Sequence, residues 1–361
     1  MSTLFTPIKV GRMELAHRIA MAPMTRYRAD DSHVPLPTVK EYYAQRTAVP
    51  GSLAIGEGTF ITQNAGGYAN VPGIYTQEQI DAWKDVVDAV HKQGSYIYLQ
   101  LWALGRAADP KILKDENNGD LVSASAIPAS PDGPKPRPLT DDEILQYIED
   151  FTQASKNAIA AGFDGVEIHG ANSYLVEQFI QPLTNKRTDA WGGSIDNRAR
   201  FALEITRSVA GAIGADRTAI RLSPFADFLG DIDYDPVPQY VYIVEQLKPL
   251  QLAYIHLVES REKGNDLTQV IKAYGNAGPV IVTGGFQLES SKKAVDEEYK
   301  DYDVIVGIGR PYTSNPDLPF RFKQGISLTP YQRESFFTPK SEKGFHDFPF
   351  SKQFIQLQAQ A

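Results

Sequence analysis

Three side chains that can act together on a carbonyl compound lie close in the sequence: His169, Asn172 and Tyr174, after an apolar run that begins at Gly165. An imidazole and an amide can donate hydrogen bonds to an oxygen that gains negative charge, and a phenol can deliver a proton. Because tyrosine titrates near ~10 when unperturbed, Tyr174 keeps its proton at neutral pH. This set fits reduction of an activated C=C bond. The alternative is structural, with a hydrogen-bonded core histidine and a tyrosine that only packs.

Two glycine-containing segments predict an anion site: Gly284-Gly285 and Gly309-Arg310 each follow an apolar run near the C-terminus. Barrel enzymes often bind phosphate in the loops after their last two strands. Backbone N–H groups of glycine can surround an anion, and Arg310 can add a bidentate contact. The alternative is that these glycines only form tight turns. No Gly-x-Gly-x-x-Gly follows the first strand, so a mononucleotide or a phosphorylated substrate is favoured over a tightly bound dinucleotide.

Three further polar residues lie within or after apolar runs. Arg221 either pairs with an interior carboxylate, such as Glu57 or Glu167, or faces a ring that becomes anionic on reduction. Gln100 can donate and accept at the edge of a pyrimidine-like ring, although a plain core hydrogen bond is the commoner role. Thr25 could donate to a carbonyl of the same ring, or serve as a turn or cap residue.

Apolar runs that alternate with amphipathic stretches predict a parallel α/β architecture. Capping boxes begin at Thr76 and Thr140, and Ser194 is predicted to cap a third helix. Polar residues follow nearly every strand, whereas an open sheet would gather them at one switch point, so we predict a (β/α)8 TIM barrel. The predicted strands are 18–23, 53–57, 96–101, 165–169, 218–222, 254–258, 279–283 and 304–307.

Three segments fall outside the alternation. Residues 5–15 predict an N-terminal β-hairpin that turns near Gly11. Residues 109–138, rich in Pro, Asp, Gly, Asn and Ser, predict a long surface loop after the third strand, beside the site. The aromatic-rich tail after Thr329 is expected to pack on the barrel. Without an interdomain linker, residues 1–361 are predicted to form one domain.

Composition excludes several classes of function. The net charge of −8 argues against non-specific nucleic-acid binding. Without cysteine there can be no disulfide, zinc–thiolate site or cysteine nucleophile. His169 lacks companion ligands, so we predict no metal site. With neither a signal peptide nor an apolar run of the ~20 residues that span a membrane, we expect a cytoplasmic protein without membrane partners.

The chain resembles the Old Yellow Enzyme family of FMN-dependent ene-reductases. The likeness covers nearly the whole chain, and details at 34–37 and 105–110 are similar to the fungal branch, which includes reductases of ergot-alkaloid biosynthesis. The motifs that carry the likeness are Phe5-Thr6-Pro7-Ile8-Lys9-Val10-Gly11, Met21-Ala22-Pro23-Met24-Thr25-Arg26, Gln100-Leu101-Trp102, 164–174, 188–200, Arg221-Leu222-Ser223-Pro224, 307–310 and Ser314-Asn315-Pro316-Asp317-Leu318.

The resemblance implies a role for each matching residue. NADPH or NADH would reduce non-covalent FMN, which passes a hydride to the β-carbon of an α,β-unsaturated carbonyl or a nitroalkene. His169 and Asn172 would bind the substrate oxygen, Tyr174 would protonate the α-carbon, and Trp102 would shape the pocket. The residues implied for the isoalloxazine are Pro23, Met24, Thr25, Gly58, Gln100 and Arg221. Those implied for the FMN phosphate are Gly284, Gly285, Gly309 and Arg310.

The chain departs from the yeast members at three places. Phe336-Phe337 replaces Phe-Tyr, Gly285 replaces an asparagine, and the segment 259–266 is much shorter, which puts the substrate range in doubt. Two alternative functions stay open: a flavin-free barrel aldolase or isomerase acting on a phosphorylated substrate, and a non-enzymatic flavin-binding protein. Either a monomer or a homodimer is compatible with the sequence.

Overall fold

The fold is a closed barrel of parallel strands surrounded by helices, in a computed structural model that describes residues 2–225, 234–259 and 266–360. The strands of these segments are β1 (Ile8–Val10), β2 (Met13–Leu15), β3 (Ile19–Met21), β4 (Leu53–Phe60), β5 (Tyr96–Trp102), β6 (Val122–Ser123), β7 (Arg137–Pro138), β8 (Gly165–Gly170), β9 (Thr218–Leu222), β10 (Tyr254–Val258), β11 (Val280–Thr283) and β12 (Val304–Ile308). Their helices are α1 (Thr38–Arg46), α2 (Gln77–His91), α3 (Pro110–Asn117), α4 (Asp141–Ala160), α5 (Leu175–Ile180), α6 (Ile195–Ile213), α7 (Val237–Leu247), α8 (Thr268–Tyr274), α9 (Leu288–Lys293), α10 (Arg310–Ser314), α11 (Leu318–Gln324) and α12 (Lys352–Gln358).

Eight of the strands close the barrel in the order β10-β11-β12-β3-β4-β5-β8-β9, which confirms the predicted (β/α)8 fold. Strands β4, β8 and β9 are buried along their whole length, as parallel strands with both faces covered must be. The prediction for the second barrel strand ended at residue 57, but β4 continues to Phe60. A register shift between Gly56 and Thr59 bends β4 against β5 and extends the pairing.

The N-terminal hairpin is present, with β1 and β2 antiparallel. Its apolar side chains share one buried cluster with inward-facing barrel residues. Gly11 turns the hairpin at a φ of 54°, and a Cβ there would lie 2.1 Å from the carbonyl oxygen of Asp216. Arg12 forms an ion pair with Asp216, just before β9. The hairpin therefore plugs the end of the barrel where the strands begin.

The helices form the outer layer, and their starts follow the predicted capping signals. The capping boxes at Thr76 and Thr140 are both formed. Ser194 occupies the N-cap position of α6, but its hydroxyl makes no capping hydrogen bond, so that part of the prediction is wrong. None of the described helices combines the length and apolar character needed to cross a bilayer.

The predicted surface loop after the third barrel strand is more ordered than expected. It contains α3 and a short β6–β7 pairing. Helix α3 begins where Asp109 accepts a hydrogen bond from the Lys111 N–H, with Pro110 at its first position, a helix-start signal that the loop-like composition hid. The aromatic tail does pack on the barrel, because Phe345 and Phe354 are buried.

Candidate active site

Two adjoining cavities lie at the C-terminal ends of the barrel strands. The glycine cavity, about 510 Å³, is lined among others by Met24, Thr283, Gly284, Gly285, Gly307, Gly309 and Arg310. The histidine cavity, about 480 Å³, is lined by Thr25, Tyr27, Tyr68, Gln100, Trp102, His169, Asn172, Tyr174 and Phe337. Pro23 and Arg221 line both, so the two cavities meet at these residues.

His169, the penultimate residue of β8, is a neutral hydrogen-bond donor. Its pKa lies well below the usual value because burial, and then the nearby Arg221, disfavour the charged ring. The Ala171 N–H donates to Nδ1 over 3.4 Å. In a neutral imidazole the other nitrogen then carries the proton, so Nε2–H is the donor available to a ligand. Trp102 lies alongside, with ring centroids 5.9 Å apart and planes 24° apart.

Asn172 and Tyr174 enter the same cavity from the turn after β8. Asn172 has a φ of 57° and the next residue, Ser173, a φ of 62°. The Tyr174 ring meets Trp102 edge-on at 4.7 Å and His169 at 5.0 Å. Burial, and then the hydroxyl of Tyr68, raise the pKa of Tyr174. Tyr174 therefore holds its proton throughout the neutral range.

A buried network fixes the direction of the Gln100 amide. Gln100 Nε2 donates to Glu167 Oε1 over 2.8 Å. Glu167 Oε2 accepts from the hydroxyl of Tyr254 at 3.1 Å and pairs with His256 Nδ1 at 2.8 Å. His256 Nε2 lies 2.6 Å from the hydroxyl of Thr283, which lines the glycine cavity. Since an ionised carboxylate only accepts, Gln100 must use its nitrogen here, which leaves its oxygen as an acceptor toward the histidine cavity.

Arg221 lies where the two cavities meet and forms no ion pair with Glu57 or Glu167, the two carboxylates that the sequence suggested. Its Nε is buried without a hydrogen-bond partner among residues 2–225, 234–259 and 266–360. Burial lowers its pKa more than the attraction of Glu167 raises it. Glu57, the other suggested partner, instead accepts the backbone N–H of Arg26 at 3.1 Å. A buried guanidinium with an unpaired N–H suits a ligand that brings negative charge or acceptor oxygens.

The glycine cavity can admit a phosphate closely. A Cβ at Gly284 would lie 2.2 Å from the carbonyl oxygen of Glu259, so only glycine fits there. Arg310, at the start of α10, is exposed at the same cavity. Glycine N–H groups, Arg310, the buried guanidinium of Arg221 and the acceptor oxygen of Gln100 together fit the phosphate and the polar ring of FMN.

Gly58 is the one predicted site residue that lines neither cavity. A Cβ there would lie 2.6 Å from the Trp102 ring, so Gly58 makes room for that indole. The sequence interpretation missed Tyr27 and Tyr68, although Tyr27 follows Thr25 by only two residues. Phe337 contacts Tyr27 edge-on at 5.7 Å, which places the replaced tail aromatic at the cavity. The structure thus brings the other predicted residues together.

Two further sequence predictions concern the surroundings of the site. The described part of the chain contains no group of three or more His, Cys, Asp or Glu residues placed to hold a metal ion. The shortened segment after the sixth barrel strand falls largely on residues 260–265, which lie outside the described residues.

Comparison with known proteins identifies the family. A family model described as NADH:flavin oxidoreductase / NADH oxidase matches residues 3–329. A chanoclavine-I aldehyde reductase of Penicillium roqueforti is 59% identical over 361 residues, which cover 98% of each protein. An NADP-dependent oxidoreductase of Aspergillus flavus is 49% identical over 372 residues, covering 99% of this chain and 98% of that protein.

Two other relatives complete the comparison. A probable inactive reductase of Epichloe festucae var. lolii is 50% identical over 369 residues, covering 98% of this chain and 97% of that protein. The crystal structure of Old Yellow Enzyme from Pichia sp. has a TM-score of 0.91 at 40% identity, covering 97% of this chain and 94% of that one. The chain therefore belongs to the fungal branch of the Old Yellow Enzyme family, the FMN-dependent NAD(P)H-type flavin oxidoreductases.

Proposed function

We propose that this oxidoreductase is an ene-reductase that reduces the C=C bond of an α,β-unsaturated carbonyl compound or a nitroalkene. When bound, FMN that has been reduced by NADPH or NADH supplies the hydride for the β-carbon. The observation that carries the proposal is that His169, Asn172 and Tyr174 line one cavity, which meets the glycine cavity at Arg221. Groups that bind a carbonyl oxygen and donate a proton thus lie beside a site for the flavin.

The flavin would be held by residues of both cavities. Gly284, Gly285, Gly309 and Arg310 would bind the phosphate, as both the glycine cavity and the family likeness suggest. Pro23, Met24, Thr25, Gln100 and Arg221 would contact the ring system, with Arg221 balancing negative charge on it. Gly58 would act there only through its backbone and through the space it leaves for the indole of Trp102.

His169 and Asn172 would bind the substrate oxygen while charge develops on it. His169 offers Nε2–H from a neutral ring, so it stabilises the charge without giving up a proton. Pre-positioned donors of this kind act like an oxyanion hole, and the loss of one typically costs roughly 3–4 kcal/mol of transition-state stabilisation.

Tyr174 would deliver the proton to the α-carbon. Its raised pKa keeps the hydroxyl protonated until a strongly basic carbon centre appears. Trp102, packed against both His169 and Tyr174, would fix the positions of the two rings and form one wall of the pocket. The 59% identical relative is named for an aldehyde, so we propose enals among the substrates.

Replacing Tyr174 with Phe tests this function. We expect the variant to keep its FMN and its oxidation of NADPH, while reduction of 2-cyclohexenone falls at least roughly 100-fold, because general acid catalysis contributes 10²–10⁴-fold. Tyr98→Phe is the matched control, since Tyr98 is buried and its hydroxyl donates to the Asp216 carbonyl oxygen, over 3.4 Å, at the opposite end of the barrel. Unchanged enone turnover in Tyr174→Phe would refute the proton-donor role.

Two alternatives remained open from the sequence, and each makes a prediction that differs from that of an ene-reductase. A flavin-free aldolase or isomerase predicts a colourless protein, whereas an FMN-dependent oxidoreductase should purify yellow. A flavin store would bind FMN without consuming enone when NADPH is supplied. A panel of enals, enones, maleimides and nitroalkenes, each assayed with NADH and NADPH, separates these cases and identifies the preferred reductant.

A further inference from the structure

The turn that carries Asn172 and Tyr174 has an unusual backbone. Asn172 and Ser173 are consecutive non-glycine residues in the left-handed region, with φ values of 57° and 62°. Such residues carry a steric penalty and persist only where surrounding contacts hold them. The contacts that hold this turn therefore decide where the two side chains point.

One buried carboxylate gathers the N–H groups of this turn. The Ser173 N–H donates directly to Glu177 Oε2, in the first turn of α5. The Asn172 N–H donates to the hydroxyl of Ser223 over 2.7 Å, and that hydroxyl donates to Glu177 Oε1 over 2.6 Å. Two consecutive N–H groups thus reach the same carboxylate, one directly and one through a serine.

The next residue, Gln178, holds the carbonyl side of Ser173. Gln178 Nε2 donates to the Ser173 carbonyl oxygen at 2.8 Å and to the Leu104 carbonyl oxygen at 3.0 Å. Its Oε1 accepts from the hydroxyl of Ser123 at 2.9 Å, which fixes the orientation of the amide. The backbone N–H and the carbonyl oxygen of Ser173 are therefore fixed by Glu177 and Gln178, two adjacent residues of α5.

Glu177 is costly to bury, which argues that it does more than pack. Its side chain is fully buried, and burial raises its pKa to about 7 despite its hydrogen bonds. Besides Ser173 and Ser223, it accepts from the hydroxyl of Tyr240 on α7 at 2.7 Å. No Lys, Arg or His of the segments 2–225, 234–259 and 266–360 forms an ion pair with it, so its hydrogen bonds and the longer-range attraction of Arg221 must compensate its charge.

We propose that Glu177 is a positioning residue, whose carboxylate holds the 172–173 turn so that Asn172 and Tyr174 are aimed at the substrate. This inference rests on the proposed function. Glu177 lines neither the glycine cavity nor the histidine cavity. It acts through the backbone of the turn and through Ser223, and a displaced Asn172 or Tyr174 would meet the substrate oxygen and α-carbon less well.

Glu177→Gln tests the proposal in the FMN-loaded protein. The amide replaces one acceptor oxygen with a donor, so the turn loses an anchor at nearly constant volume. We expect phenol to bind at least roughly tenfold more weakly, because misplacement of catalytic groups by about 1 Å can cost roughly 10²-fold in rate. The long-wavelength absorbance band that phenol forms with the flavin reports this binding. After reduction by dithionite, reoxidation by 2-cyclohexenone should slow by a similar factor, while reoxidation by oxygen stays within about twofold.

Asp317→Asn is the matched control. Asp317 is a fully buried carboxylate that lines neither cavity, and it accepts from Arg321 Nε at 2.7 Å and from the Ser351 hydroxyl at 2.5 Å. This variant should lose stability without a change in phenol affinity or in the ratio of the two reoxidation rates. If Glu177→Gln and Asp317→Asn change the ratio of enone to oxygen reoxidation rates equally, the positioning role is overturned.

A second pair of variants decides the matter if Glu177→Gln does not fold. Ser223→Ala and Tyr240→Phe each remove one hydroxyl from the same oxygen of Glu177, but only Ser223 also accepts the Asn172 N–H. We expect slower enone reoxidation in Ser223→Ala and not in Tyr240→Phe. Indistinguishable variants would overturn the proposal. A wild-type protein that is reoxidised by oxygen but not by any enone, enal or nitroalkene would instead refute the proposed function.

Discussion

Arg221→Met should weaken FMN binding and yet leave the FMN-free protein at least as stable as the wild type. The guanidinium Nε of Arg221 is buried without a partner in the described part of the chain, and burial lowers the pKa of the group. An unsatisfied buried donor costs about 1–3 kcal/mol, and more when charged. Methionine keeps most of the apolar stem and removes this cost. Glu167 still keeps its hydrogen bonds from Gln100 and Tyr254 and its pairing with His256.

With FMN bound, the sign of the effect reverses. A hydrogen bond to a charged group contributes about 1.5–3 kcal/mol, so the loss of one such bond should weaken FMN binding roughly 10- to 100-fold. Flavin fluorescence quenching gives the dissociation constant, and urea unfolding of the FMN-free protein gives its free energy of unfolding. The predicted signature is a higher dissociation constant together with an unfolding free energy that is unchanged, or higher by about 1–3 kcal/mol.

Arg46→Met supplies the comparison. Arg46 is also buried with an Nε that has no partner in the described part of the chain, but its Nη2 donates to the carbonyl oxygens of Thr313 at 2.5 Å and Phe345 at 2.7 Å. Its removal orphans those acceptors, so the FMN-free protein should lose stability while FMN affinity changes little. If Arg221→Met behaves like Arg46→Met, with reduced stability and unchanged FMN affinity, then Arg221 is a structural cation paired with Glu167 and our reasoning is refuted.

Two further predictions concern the glycine cavity and the barrel base. Gly284→Ala should lower both stability, by about 1–3 kcal/mol, and FMN affinity, because the new Cβ would lie 2.2 Å from the Glu259 carbonyl oxygen; normal FMN affinity in a titration would contradict a close phosphate approach there. Burial lowers the pKa of His17 from 6.5 to about 4. Between pH 4 and 6.5 the unfolded chain therefore binds a proton at His17 that the folded chain does not, so the free energy of unfolding rises with pH across that window by about 3 kcal/mol. Urea unfolding between pH 4 and 7 should show a shallower rise for His17→Gln, and an identical slope in both proteins would exclude this contribution.

Local signals in the sequence were sufficient for the elements of the fold. The capping boxes at Thr76 and Thr140 act within four residues, and both helices begin where these motifs predict. The turn of the hairpin near Gly11 and the apolar runs of the eight barrel strands are likewise short-range patterns. The helix after Asp109 was missed because its cap lay in a segment whose overall composition resembles a loop.

The sequence also predicted which residues would meet at the site, because a closed parallel barrel brings all its C-terminal strand ends to one face. His169, Gln100 and Arg221 come from β8, β5 and β9, and they line one cavity as expected from that closure. Their individual roles toward FMN and substrate stay predictions. Gly58 shows the limit, since the irregular pairing of β4 against β5 turns it toward Trp102 and away from the cavities.

Only the tertiary structure decided the contacts between distant segments. Phe337 reaches the histidine cavity because Arg26 and Arg28 bond carbonyl oxygens of the C-terminal tail, more than 300 residues away in sequence. The link from Glu177 through Ser223 to the Asn172 N–H joins α5, the end of β9 and the turn after β8. Sequence periodicity specifies which face of an element is buried, but not which atoms meet across elements, because that depends on how the whole barrel packs. The sequence alone thus indicated which residue types could perform the chemistry, whereas the packing of the whole barrel determined how their side chains are oriented.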